Sequence, residues 1–320
     1  MNTQIKLAII AIAIVIPLAS LAITQTNSPS NNSTNENSKL QVVASATFLY
    51  EFSQNIGKEM IDVTLLVPMG ADPHDWEPTI RDTERLQKAD MIIVNGIGYE
   101  HWLNSLELSD IAGILVDTSN GISTLDSANH DEEKHDDHAK EDGHDDEDNH
   151  NHGVLDPHIW LNPVFAQLQV KNIANALSNS DPTNKNYYQS NAAIYNQKLN
   201  LLDTKIRTEL SGCKTDFITF HDAFSYFSEE YGLTQHTIIS STDSHGDVTP
   251  KTLEHIISLA RELNIKVIFA EENTSTKTSQ VIADEIGGKV LVLSPLEIVS
   301  DETYVEKMTQ NLQNLKDALC

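Results

Sequence analysis

The chain predicts an α/β protein of two βα lobes with mostly parallel sheets, joined by one long spine helix. Two observations carry that expectation. Short apolar runs of four to six residues alternate with stretches of helical periodicity from residue 40 to the end, the pattern of a parallel sheet covered by helices. In the middle, residues 186–210 form one unbroken amphipathic stretch with a βα series on each side.

In the first series, Gln41–Ala44 reads as a strand, and Phe48, Phe52, Ile56 and Met60 then recur at helical spacing. Asp62–Val67 is a second strand, followed by Pro68-Met69-Gly70-Ala71-Asp72-Pro73-His74. A helix over Arg81–Ala89 leads to strands at Met91–Asn95 and Ile114–Val116. Order resumes at Asp156-Pro157-His158-Ile159-Trp160-Leu161-Asn162-Pro163, a stiff segment opening a helix. There Asn162 is a good N-cap, and Pro163 occupies the first helical position, where a missing N–H costs nothing. The spine carries Tyr188, Ala192, Tyr195, Leu199, Leu202, Ile206 and Leu210 on one side and ends at Ser211-Gly212. The second series has strands at Asp216–Phe220, Lys266–Ala270 and Val290–Leu293, with helices from Pro250, over Ser279–Ile286 and around Val305–Leu319. No strict repeat is visible.

The boundaries follow. Residues 1–23 are a signal peptide or N-terminal anchor: Lys6 precedes an apolar run from Leu7 to Ile23. Residues 24–39 are a polar tether, 40–185 a first lobe, 186–211 the linking helix and 212–320 a second lobe. Export is expected, to a cell-surface or periplasm-like space, released or held by an uncleaved helix. With no cysteine near this end, an anchor acylated on cysteine is not expected. The only cysteines, Cys213 and Cys320, could pair in an oxidising compartment.

Residues 119–153 break the rhythm and read as an inserted loop. Residues 130–152 hold 11 acidic and 2 basic side chains, nine of the 26 net negative charges of the chain. A surface with 47 acidic and 21 basic residues argues against nucleic acid or anionic lipid and favours cations.

His74, His221 and Glu271 follow the C-terminal ends of predicted strands, the edge where open α/β sheets bind ligands. His158 joins them if the lobes face one another. Three imidazoles and one oxygen suit Zn²⁺, whereas Ca²⁺ and Mg²⁺ want oxygen and Mn²⁺ usually needs more carboxylate. The separations of 84 and 63 residues match no local zinc motif. His101, His236, His245 and His255 read as packing or solvated side chains.

Four segments settle the reading by resemblance. Gly70–Thr79, Asp156–Pro163, His221–Phe227 and Phe269–Glu271 resemble, in order, the zinc-type metal-binding solute-binding proteins of ABC transporters, over residues 40–319. The resemblance implies a metal site in the interlobe cleft with His74, His158 and His221 as ligands. Where relatives place an aspartate before the proline of Ser294-Pro295-Leu296, this chain has serine, so the fourth ligand is expected to be Glu271 or water, with Ser294 behind them. The acidic loop, with His130, His135, His138, His144, His150 and His152, also resembles one in zinc-type members and is expected to gather metal weakly. The implied protein is not an enzyme: it is a monomeric, exported receptor that captures Zn²⁺ and passes it to a membrane permease. A surface metal buffer or adhesin on the same scaffold is the alternative. A zinc hydrolase using Glu77 or Asp222 as base is disfavoured, because the chain has no His-Glu-x-x-His pair and no Gly-x-Ser-x-Gly turn.

Overall fold

The structure is a computed structural model, and it describes residues 39–68, 71, 73–106, 111–125, 155–239, 248–272 and 276–320. The signal segment, the tether up to residue 38 and all six loop histidines lie outside the described residues. Eight strands are seen among those described: β1 (Leu40–Ala44), β2 (Ile61–Leu65), β3 (Met91–Val94), β4 (Ile114–Asp117), β5 (Asp216–Thr219), β6 (Thr234–Thr237), β7 (Val267–Ala270) and β8 (Lys289–Val292). They form two four-stranded sheets, ordered β2-β1-β3-β4 and β6-β5-β7-β8. Every pairing is parallel.

The helices are α1 (Thr47–Gly57), α2 (Ile80–Lys88), α3 (Pro163–Ser180), α4 (Lys185–Leu210), α5 (Ser225–Tyr231), α6 (Pro250–Glu262), α7 (Lys277–Ile286) and α8 (Tyr304–Leu319). Their starts follow local capping chemistry. Thr79 and Asp82 form a capping box at α2, and Thr303 and Glu306 form another at α8. The Asn162 side chain accepts from Val164 N at α3, with Pro163 next to it.

Alternation along each strand assigns its two faces. In the first sheet Val42, Ala44, Met91 and Ile93 point into one core, and Val43, Ile92 and Val94 into another beneath α2. In the second sheet Phe217, Val267 and Phe269 join the same central core, while Ile218 and Ile268 pack outward with Ile256 and Ile282 of α6 and α7. One apolar core therefore runs through both lobes, with α1, α3, α4 and α8 in it.

The spine helix α4 serves each lobe with a different half. Near its start Asn191 Nδ2 donates to Ile56 O (3.0 Å) and Tyr195 OH to Glu51 Oε1 (2.7 Å) on the first-lobe side. Near its end Lys316 Nζ reaches Glu209 Oε2 at 2.7 Å, and Arg207 pairs with Glu230. Cys213, just past the helix, is disulfide-bonded to Cys320 with Cα atoms 4.7 Å apart. The bond fastens the last residue of α8's extension to the entry of the second lobe.

Two elements were not expected from sequence. The edge strand β6 is Thr-Gln-His-Thr, with no apolar alternation, and its pairing to β5 alone defines it. Helix α5 is only two turns long, too short to show a period.

Candidate functional site

The site forms where residues beyond β2, β4, β5 and β8 converge. His158 precedes the 3₁₀ turn Ile159–Leu161 that leads into α3. Its segment is fixed from both lobes: Asn95 Nδ2 donates to Pro157 O (2.9 Å), and Tyr226 OH of α5 donates to Asp156 O (2.8 Å). His221 lies two residues past β5, and Gln235 Nε2 donates to its carbonyl at 3.0 Å. His74 sits in the connection from β2 to α2, its ring edge-on to Tyr99 at 5.7 Å.

His74, His158 and His221 each offer a ring nitrogen, and these atoms lie within 4.8 Å of one another. The Nε2 atoms of His158 and His221 are 3.4 Å apart. Two nitrogens on a tetrahedral Zn²⁺ at about 2.0–2.1 Å would be about 3.3 Å apart, so this pair already has the edge length of a zinc site.

The opposite edges of both rings are anchored. Asp156 Oδ1 accepts from His158 Nδ1 (2.7 Å) and from its backbone N (2.9 Å). Glu271 Oε1 accepts from His221 Nδ1 (2.6 Å) and from its backbone N (3.0 Å). An ionised carboxylate only accepts, so each Nδ1 carries its proton and each Nε2 is the nitrogen turned to the cluster. His158 and His221 are fully buried.

Glu271, expected as the fourth ligand, thus occupies the Nδ1 side of His221, away from where the Nε2 atoms meet. Ser294 is engaged in its own turn, where its Oγ accepts from Leu296 N at 3.2 Å. The oxygen among the imidazoles belongs to Glu297, which the sequence analysis did not single out. Its Oε1 is 2.9 Å from His74 Nε2 and 3.5 Å from His158 Nε2. A carboxylate just beyond β8 was the available signal, parallel to Glu271 just beyond β7.

The electrostatics fit a site that attracts cations. Burial draws the His158 imidazolium down, but the Asp156 and Glu297 carboxylates outweigh it and raise the group to about 10. For Glu297 burial pushes the carboxyl up, and His74 and His158 overcome this, holding it well below the usual range. Metal binding at these imidazoles would compete with protons.

The other candidates lie elsewhere. Glu77 is exposed and pairs with His101 at 3.4 Å. Asp222 accepts from Ser225 Oγ at 2.7 Å, next to the start of α5. His236 pairs with Asp216 at 3.0 Å, and His255 is an exposed residue of α6. His245 lies outside the described residues.

Comparison with known proteins agrees with this geometry. The family model described as zinc-uptake complex component A, periplasmic, matches residues 42–318. The high-affinity zinc uptake system protein ZnuA of Bacillus subtilis is 42% identical over 290 residues, covering 88% of each chain. The crystal structure of the metal-dependent lipoprotein YcdH from Bacillus subtilis superposes with a TM-score of 0.72 at 38% identity, over 88% of this chain and 99% of that one. Zn(II)-bound AdcA from Streptococcus pneumoniae matches with a TM-score of 0.72 at 29% identity, over 88% of this chain but only 57% of its own. The chain belongs to the zinc-uptake complex component A family of solute-binding proteins.

Proposed function

We propose that this chain is an extracytoplasmic receptor that captures Zn²⁺ between its lobes and hands it to the permease of an ABC transporter. The observation that carries the reading is the convergence of three imidazole nitrogens within 4.8 Å, with two of the rings braced at Nδ1 by buried carboxylates. His74, His158 and His221 are the protein ligands in this reading. Glu297 supplies the fourth, and Glu271 and Asp156 orient the imidazoles behind them. Family membership makes the chain a binding protein, not a hydrolase; Glu77 is exposed beside His101 and Asp222 accepts from Ser225 Oγ.

In this reading the chain is a monomer, and all four proposed ligands come from one copy. The apolar run at residues 7–23 directs export. Among the described residues no helix is long and apolar enough to cross a membrane. The histidines of the inserted loop, His130 to His152, collect zinc weakly for the cleft, since a segment that must order on binding loses affinity.

Competitive zinc titration of the full chain against His158→Ala tests the reading. Loss of one tight site with weaker binding retained supports it. Tight binding that survives the substitution would place the metal chemistry outside the cleft.

A further inference from the structure

Glu297 reaches the imidazoles on a second-lobe segment whose backbone is held by first-lobe side chains. Leu296, directly before it, has φ 62° without being glycine, a left-handed conformation that persists only where the surroundings over-determine it. Three successive carbonyls provide that constraint, each accepting from a side chain. Asn311 Nδ2 of α8 donates to Ser294 O at 2.7 Å, and Asn311 Oδ1 accepts from Ser294 N at 2.8 Å. Trp160 Nε1 donates to Pro295 O at 2.8 Å, and Thr47 Oγ1 donates to Leu296 O at 2.9 Å.

The last two donors come across the lobe boundary. Thr47 is the first residue of α1, and Trp160 lies two residues past His158. The Trp160 ring stacks on Phe48 of α1 with centroids 4.3 Å apart. Its backbone carbonyl accepts from Tyr304 OH of α8 at 2.6 Å, so the residue is held at its main chain as well as at its indole.

We infer that Thr47 and Trp160 are positioning residues for Glu297: by gripping the carbonyls of Leu296 and Pro295 they set the carboxylate against His74 and His158. The inference rests on the reading of Glu297 as the fourth ligand. The fourth ligand is then carried by the second lobe and aimed by donors of the first. A merely structural bond would behave differently. Its loss would lower stability, with an effect on zinc independent of Glu297.

A double-mutant cycle on the full chain separates the two. Zn²⁺ affinity is measured by chelator competition for wild type, Thr47→Val, Thr47→Ser, Glu297→Gln and Thr47→Val/Glu297→Gln, with melting of the metal-free forms as the folding check. Thr47→Val is expected to weaken zinc about tenfold, the scale of a lost orienting contact. Thr47→Ser, which keeps the hydroxyl, should stay within about twofold of wild type. In the Glu297→Gln background Thr47→Val should change affinity by less than about twofold, since its route to the metal is gone. The visible spectrum of bound Co²⁺ should shift with Thr47→Val alone and not in the double variant. If Thr47→Val does not fold, Trp160→Phe, which removes the indole donor along with part of the buried ring, runs the same cycle with the melting control.

Equal losses in both backgrounds, or a folded Thr47→Val with wild-type affinity beside a weakened Glu297→Gln, would overturn the inference alone. A Glu297→Gln variant with wild-type affinity would overturn the reading of the fourth ligand, and the inference with it.

Discussion

The two sheets share one strand order, with β5, β6, β7 and β8 taking the places of β1, β2, β3 and β4. Each lobe also has a buried glutamate after its third strand in sequence, bonded to a residue just past the first. In the first lobe Glu100 accepts from Ser45 Oγ (2.6 Å), Asn95 N (2.7 Å) and Gly96 N (3.0 Å). In the second, Glu271 accepts from the ring and backbone of His221. The same device therefore ends in scaffold on one side and in a proposed ligand on the other. In the proposed reading, a histidine in front of the carboxylate, where the other lobe has a serine, converts a structural brace into support for a metal.

That difference predicts a division of labour. His221→Ala should cost zinc affinity more than about a hundredfold, beyond what loss of a supporting contact costs, as read by chelator competition. A smaller loss would remove His221 from the ligand set.

Glu100 should instead govern stability against pH. Burial pushes its carboxyl up, against the lowering effect of Ser45 and the two backbone donors, to about 7. Between the ordinary carboxyl value and that figure the folded state binds more protons than the unfolded one. The slope of unfolding free energy with pH is then negative, so this contribution is present at low pH and is lost as pH rises through about 7. The whole span is worth about 3 kcal/mol at 1.36 kcal/mol per pKa unit. Denaturant unfolding of metal-free protein at pH 5 and pH 7.5 checks it: Glu100→Gln should flatten the wild-type difference by that order. An unchanged pH dependence would mean Glu100 is ionised throughout.

Much of the scaffold was legible because it depends on local pattern. β3 and β7 are short buried runs, and α4 shows its stripe over seven turns. The convergence of three histidines was legible because Asp72-Pro73-His74 and Asp156-Pro157-His158 are stiff segments at element ends, and His221 follows a strand directly. The partners of those histidines were not. Asp156 is only two residues before His158, and that spacing could have been read as a brace for Nδ1. Glu297 is one of 47 acidic residues, and its aim depends on a left-handed Leu296 held from two lobes. No glycine marks that turn, so sequence offers no local sign of it. The strand β6 was missed because its register with β5, not its own side chains, makes it a strand.

The comparison sharpens when the two carboxylates lose charge or partner with shape retained. Glu271→Gln should weaken zinc by about 10–100-fold, the range for an orienting group behind a metal-bound histidine. A glutamine carbonyl can still accept from Nδ1, so the lower end of that range is expected. Wild-type affinity in this variant would show that the backbone of His221, not its charge partner, sets the ring.

Ser45→Ala should give the smallest effect and the most telling shape. It removes one donor from an otherwise unchanged Glu100, and a hydrogen bond to an ionised group is worth about 1.5–3 kcal/mol against about 1 for a neutral one. The loss of stability should therefore be larger at pH 7.5 than at pH 5, because the missing bond favours the ionised form. It should also push the Glu100 carboxyl further up, moving the window of pH sensitivity to higher pH. Zinc affinity at neutral pH should stay within about twofold of wild type, since the Ser45 hydroxyl is spent on Glu100. A Ser45→Ala variant with intact stability but weakened zinc would break the division between the lobes, because the scaffold brace would then be reaching the metal.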